Sequence, residues 1–261
     1  MTPSLVSCII PVLNGERYLR EALESIRAQT YRPLEIIVAD DGSTDGTAAI
    51  VAGFGDQVHY LWQANSGPAA ARNLGLRAAH GEFVGFLDAD DLWHPEKLTR
   101  QMSRFQARPD LDLCITYVQN FWIPELIEEA ARYRNHRRSQ PMPGYFTGSL
   151  LVRSALFNAV GRFNATLWHA DDTEWFIRAI EHRAVVELLP DVLAYHRIHR
   201  SNISRRQATD SREEYLHILK AALDRRRRPM RAAPSQPEVK GSHAQPSVQD
   251  AENGSSGCAD R

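Results

Sequence analysis

Residues 5–54 read LVSCIIPVLNGERYLREALESIRAQTYRPLEIIVADDGSTDGTAAIVAGF, and the fold class is decided there. Leu5 to Val12 is a β-rich apolar run. Tyr18, Leu19, Ala22, Leu23 and Ile26 then recur at helical spacing, with Asn14 placed to cap that helix. Leu34 to Ala39 is a second apolar run. DDGSTDG follows it as a turn, and a helix of small residues runs on to Phe54. Working outward, Val58 to Trp62 reads as a third strand and Glu82 to Leu87 as a fourth. Between them Pro68 lies in the first turn of a helix that Ser66 is placed to cap. Pro95 opens another helix, and Leu113 to Phe121 reads as a fifth strand. Strand alternating with helix at this spacing predicts βαβ crossovers and an α/β fold, a mainly parallel sheet covered on both faces.

After Phe121 the alternation breaks. Pro124 to Arg138 reads as helical and carries RYRNHRR; Pro141 to Gly144 reads as a loop. Gly148 to Val152 is a short strand, Asp172 to His182 a helix, and Val185 to Tyr195 is extended again. Arg212 to Arg228 is an amphipathic helix with Tyr215, Leu216, Leu219, Ala222 and Leu223 on one side. From Pro229 to Arg261 the chain is rich in Pro, Ser, Gly, Gln and Ala. Such a stretch buries too little apolar surface to offset its ordering entropy, so a disordered tail is expected.

Composition excludes several classes. Of the 261 residues 43% are hydrophobic and 24% charged, enough apolar material for one α/β domain with an appendage. The 31 basic side chains nearly balance the 32 acidic ones, so there is no global field for nucleic acid. Cys8, Cys114 and Cys258 are odd in number and widely spaced, which fits neither a disulfide framework nor a zinc site; a reducing compartment is the expectation. No apolar run approaches the ~20 residues of a membrane span. The N-terminus shows no basic n-region and no long h-region, so no secretory signal is expected.

In parallel sheets ligands bind beyond the carboxyl ends of the strands, and the polar clusters of this chain follow strands. Asp88, Asp90 and Asp91 come directly after the apolar EFVGFL run. Carboxylates so crowded repel one another unless a cation is present, and carboxylate oxygens suit Mg²⁺ or Mn²⁺. An acid that merely starts the next helix is the competing reading. Of Asp40 and Asp41, one can be structural while the other accepts from a nucleobase N–H. Arg72, on the helix opened by Pro68, can reach a diphosphate or simply be a solvated charge. Asp172 stands at a helix start, where the dipole favours the ionised form, and can act as a general base; Asp171 competes for that role.

Together VSCIIPVLNGERYLREALESIRAQTYRPLEIIVADDGSTDGT and NSGPAAARNLGLRAAHGEFVGFLDADDLWHPEKL resemble the large inverting glycosyltransferase family called family 2. Looser matches follow in TGSLLVRSALFNAVGRFN, ADDTEWFIRA and YHRIHRSNIS. The resemblance implies a GT-A fold, a Rossmann-like sheet flanked by helices with a smaller acceptor-side region. It implies a nucleotide-sugar-binding half over residues 1–120 and an acceptor half with its terminal helix over 121–228. It further implies a nucleotide-diphosphate sugar donor, a saccharide or lipid-linked acceptor, and Mn²⁺ or Mg²⁺. Carried over residue by residue, Pro11 and Asn14 line the nucleoside pocket, Asp41 contacts the base with Asp40 beside it, and Asp88 lies near the ribose. Asp90 is the metal ligand and Asp172 the base. Asp171 stands where the family more often has Glu. The inserted HR in YHRIHRSN leaves open whether His196 or His199 faces the diphosphate.

Three other readings compete. A nucleotidyltransferase would carry a glycine-rich, basic loop after the first strand, and PVLNGERY has neither repeated glycines nor Lys. A receiver-like domain would be shorter and gives no reason for DDTEW. An inactive sugar-binding or scaffold relative is disfavoured by the intact acids. The helix over 212–228, ending in four arginines, is a candidate peripheral membrane contact, although Glu213, Glu214 and Asp224 weaken its field. The location expected is the cytoplasm, at most at the inner face of the membrane.

Overall fold

The computed structural model describes residues 3–202 and 208–227. The first half is β1 (Val6–Val12), α1 (Leu19–Arg27), β2 (Leu34–Asp40), α2 (Thr47–Ala52), β3 (His59–Trp62), α3 (Pro68–Ala78) and β4 (Phe83–Phe86). Then come β5 (Leu92–Trp93), α4 (Lys97–Ala107), β6 (Leu113–Trp122), α5 (Ile127–Arg132), β7 (Met142–Pro143), β8 (Leu151–Arg153), α6 (Ser154–Val160), α7 (Asp171–Glu181), β9 (Val186–Ile198) and α8 (Ala208–Arg227).

One sheet runs through the molecule in the order β3-β2-β1-β4-β8-β6-β9-β5, with β7 beside β6. β1 lies between β2 and β4, parallel to both, with Ile9 opposite Ile37 and Phe86. β1 is buried along its whole length, so its alternate side chains feed two cores. Cys8, Ile10 and Val12 pack with Leu19, Leu23 and Ile26 of α1. Ile9 packs on the other face with Ala69, Phe86 and Trp175. Gly75 lets α3 approach that face closely, since a Cβ there would stand 2.4 Å from Ile9 Cγ2.

The parallel order holds in β1 to β4 and again between β6 and β9, whereas β8, β7 and β5 run antiparallel to their neighbours. Because β8 is antiparallel to both β4 and β6, those two point the same way. The carboxyl ends of β1, β2, β3, β4, β6 and β9 therefore share one edge, and the candidate site lies there.

Several local expectations are corrected. Asn14 does not cap α1; it has φ +53°, and its Oδ1 accepts the Thr44 N–H at 2.9 Å. Tyr18 occupies the cap position with no side-chain bond. Ser66 does not cap α3 either. Gly67 does so with φ +92°, a conformation open to glycine, and Pro68 follows as expected. The long helix expected over 124–138 is broken into a turn at Pro124–Leu126, the short α5, and a turn at Arg137–Ser139. α5 buries no residue, so no apolar stripe holds a longer helix together. Met142 and Pro143 pair with β6 as a strand inside the expected loop.

The terminal helix forms, but of the stripe its spacing suggested only Ala222 is buried. Ile218 and Ala222 are buried, Ile218 against Leu167 and Ala170, while Tyr215, Leu216, Leu219 and Leu223 remain exposed. The tail expected to be disordered, Pro229 to Arg261, lies outside the described residues.

Candidate active site

One side of the candidate site is built by turns that follow β1, β2 and β3. Asp40, the last residue of β2, is fully buried; its oxygens accept the Ser43 N–H at 2.7 Å and the Tyr60 hydroxyl at 2.7 Å. Asp40 thus faces inward and fixes the turn. Asp41 is buried as well, with a different set of partners. Its Oδ1 accepts from Gln63 Nε2 at 2.7 Å and Ser66 N–H at 2.9 Å, and its Oδ2 from Gly67 N–H at 2.8 Å. Asn14 closes this cradle, its N–H donated to Ser43 Oγ at 2.8 Å. Pro11 lies buried in β1, opposite Ala39.

The acids after β4 separate into different environments. Asp88 and Asp90 keep about a third of their side chains open to solvent, 32% and 29%, whereas Asp91 keeps 3%. Asp91 accepts the Arg197 N–H at 2.9 Å and lies 3.1 Å from His196 Nδ1. Burial lowers the affinity of His196 for its proton, but the Asp91 carboxylate outweighs that and raises the imidazole to about 9. The pair ties β5 and β9 together, and Asp91 starts no helix. His199 Nε2 lies 2.7 Å from Asp90 Oδ2, and Asn202 Nδ2 donates to the same oxygen at 3.4 Å. Burial works against ionisation of Asp90, yet the His199 hydrogen bond and both histidine charges hold it below its ordinary value. Of the two histidines, the one beside Asp90 is His199.

Arg72, in α3, joins the acid that follows β4 to the acid that begins α7. It is nearly buried, with Nη1 donating to Asp171 Oδ2 at 2.8 Å and Nη2 to Asp88 Oδ1 at 3.0 Å. It is therefore no solvated charge, and both terminal nitrogens are engaged with acids. Asp171, at the start of α7, is held by this guanidinium. Asp172 is not: it accepts the Thr173 N–H at 2.6 Å. Burial, reinforced by the charge of Asp171, pushes Asp172 up to about 6, with Arg72 opposing. The structure thus separates two neighbouring acids into one paired and one raised.

Sequence reasoning passed over Gln63, Tyr60, Arg197, Asn202, Trp168 and Glu214. Arg197 lies between the rings of Tyr18 and Phe121, 4.6 Å and 4.8 Å from their centroids, and donates to Glu21 Oε2 at 2.8 Å. Asn202 was legible only as part of the HRSN segment. Glu214 lies in a helix whose acids read as solvated. Nothing in the sequence marks the partners of these residues.

Acids after β2 and β4 at the carboxyl edge of a half-parallel sheet, with Arg72 joining Asp88 to a later acidic helix start, belong to a GT-A fold. The chain belongs to glycosyl transferase family 2, a family of transferase enzymes, whose sequence profile matches residues 7–167. It is 34% identical over 184 residues to a glycosyltransferase of Rickettsia typhi, covering 66% of this chain and 58% of that one. It is 43% identical over 106 residues to a glycosyltransferase of Nostoc, covering 39% and 33%. Among solved structures, S. aureus TarS 1–349 in complex with UDP-GlcNAc superposes with TM-score 0.65 at 23% identity, covering 83% of this chain and 65% of that one. The mannosyltransferase PcManGT of Pyrobaculum calidifontis, in complex with GDP-Man and Mn²⁺, gives 0.62 at 23%, covering 86% and 65%. At that identity the structural likeness speaks for the fold.

Proposed function

We propose that the protein transfers a sugar from a nucleotide-diphosphate sugar to an acceptor hydroxyl, with inversion and with Asp172 as general base. The observation that carries this reading is the division of labour at the start of α7: Asp171 is bound to Arg72, while Asp172 is raised to about 6 by burial and has no ion pair among the described residues. A carboxylate with that affinity takes a proton near neutral pH more readily than an ordinary Asp. Asp172 removes the proton from the acceptor hydroxyl as its oxygen bonds to the anomeric carbon. The bond from that carbon to the diphosphate breaks, and the electron pair leaves with the diphosphate. Attack from the opposite face inverts the centre, as in inverting glycosidases with the acceptor hydroxyl in place of water.

Asp41, Asn14 and Pro11 hold the nucleoside, with Asp40 fixing the turn behind them. Residues 1–120 serve the donor and 121–228 the acceptor, a saccharide or lipid-linked saccharide. The donor carries UDP or GDP, as supported by the complexes of TarS and PcManGT. Among the described residues no group of three or more His, Cys, Asp and Glu side chains stands ready to enclose a metal. The donor set nevertheless fits Mn²⁺ or Mg²⁺, because Asp88 and Asp90 are partly open carboxylates with an imidazole at Asp90, and such ions take further oxygens from substrate phosphates. Asp90 would hold the ion, with Asp88 beside it. When bound it would neutralise charge building on the diphosphate. His199 orients Asp90, and Arg72 orients Asp88 and Asp171. Among the described residues no helix is long and apolar enough to cross a membrane. We place the reaction in the cytoplasm, with any membrane contact confined to α8.

A panel of UDP- and GDP-sugars with Mn²⁺ tests this. We expect one donor to be hydrolysed slowly without acceptor. Asp172→Asn should lose ~10²-fold or more of turnover while nucleotide binding stays unchanged. A loss of nucleotide binding in that variant, or full turnover, would refute the base.

A further inference from the structure

Glu214, in the second turn of α8, reaches across to the chain just ahead of α7. Its Oε1 accepts the Trp168 N–H at 2.9 Å, and its Oε2 accepts the His169 N–H at 2.7 Å and the Ala170 N–H at 2.9 Å. One carboxylate therefore gathers consecutive backbone donors from the residues that lead into Asp171. The Ala170 N–H stands at the N-cap of α7, which makes no side-chain cap bond, and those of Trp168 and His169 lie in the residues just before it. Bonds from N–H groups to an ionised acceptor are the stronger kind.

The same ribbon is held from its other sides. Ala170 and Leu167 are buried under Ile218 of α8. The indole of Trp168 lies over Gly67, whose added Cβ would meet Trp168 Cε2 at 3.4 Å, and the Gly67 N–H is the one bonded to Asp41. The ribbon therefore touches the nucleotide cradle at Trp168 and carries the α7 acids at its far end. Glu214 is its only carboxylate clamp among the hydrogen bonds of the described residues.

We propose that Glu214 is a positioning residue for Asp172, setting the start of α7 through the N–H groups of Trp168, His169 and Ala170. This rests on the reading of Asp172 as the base. Glu214 itself touches no reacting atom. Its role gives α8 a catalytic purpose: the helix locks the ribbon that fixes where the base meets the acceptor.

The test compares Glu214→Gln, Glu214→Asp and Arg225→Gln in the full chain. Arg225 donates to Glu181 Oε2 at 2.9 Å, anchoring α8 to α7 away from the ribbon. Amide exchange across 168–172 is followed by mass spectrometry, and kcat and KM are measured for whichever of UDP-GlcNAc and GDP-mannose is hydrolysed with Mn²⁺. Glu214→Gln should speed exchange at 168–172 and lower kcat by ~10- to 100-fold, the scale of a misplacement of about 1 Å, with donor KM unchanged. Glu214→Asp, which keeps the carboxylate, should recover part of both. Arg225→Gln should lower Tm slightly and alter neither. Wild-type exchange in Glu214→Gln, an unchanged kcat, or an equal kcat loss in Arg225→Gln overturns the proposal. Full turnover in Asp172→Asn would sink the base reading instead, and the exchange result would still decide whether Glu214 holds the ribbon.

Discussion

Asp41 and Asp172 both follow a change of direction in the chain, but the two halves of the molecule hold them by different means. Around Asp41 the donors come from 22 to 26 residues away, from the turn after the neighbouring strand, and all are neutral N–H groups. Around the α7 acids the partners come from far along the chain. Arg72 is 99 residues from Asp171, and Glu214 is 44 residues from Ala170. The Asp90 and His199 pair is separated by 109 residues. The Asp41 cradle is thus organised by neighbouring βα turns, and the surroundings of Asp90 and Asp171 by charges brought together from distant parts of the chain. A part built locally tolerates change on its far side; a part built by long-range charge depends on its seam.

Cutting that seam should have the largest effect. Arg72→Met leaves Asp171 and Asp88 without their shared guanidinium, one of them buried. Removing one partner of such a pair costs ~3–5 kcal/mol. Denaturant unfolding should show this loss; a change within the error of the method would mean that water replaces the guanidinium and that the halves are not joined there.

Next comes the pH dependence. Asp172 is raised from 3.8 to about 6, so as pH falls through 6 the base becomes protonated and turnover declines. The acid limb should lie near pH 6 and not near 4. In a moderately stable Arg72 variant such as Arg72→Lys, the limb should move according to how well the cation still opposes protonation, upward if the opposition weakens. A limb that stays near 4 in the wild type would show Asp172 to be solvated during the reaction.

A smaller effect separates the faces of α8. Ile218→Ala removes a buried side chain under the ribbon and should cost about 2 kcal/mol or more. Leu216→Ala, on the exposed side, should stay within about 0.5 kcal/mol. Thermal unfolding of the two variants side by side checks this; equal losses would place both faces against protein.

The legibility of the sequence follows the same division. β1, β2, β4 and α3 are readable because a strand buried on both faces is a continuous apolar run and Pro68 fits the first turn of a helix. The acids at 40–41, 88–91 and 171–172 are readable as a set because the first two groups stand at or just after the end of a strand and the third begins a helix. Their individual fates are not. Nothing in DADD says that Asp91 turns inward to His196 while Asp90 meets His199, since that choice depends on where β9 passes. On α8 the spacing groups Ala222 with Tyr215, Leu216, Leu219 and Leu223, whereas the structure buries Ala222 together with Ile218, because the packing partner decides which part of the apolar surface is covered.

By itself, then, the sequence determined the α/β order, the edge of the sheet where polar clusters gather and the membership of glycosyl transferase family 2. These rest on local periodicity and on spacing between neighbours in the chain. The tertiary structure alone decided that Asp40 is a turn anchor and Asp41 the cradle, that Arg72 is a bridge between Asp88 and Asp171, and that Asp172 is raised while Asp171 is paired. The reason is physical: a carboxylate's affinity for its proton is set by burial and by the charges within a few ångströms, and neither quantity is a property of the residue's own stretch of chain.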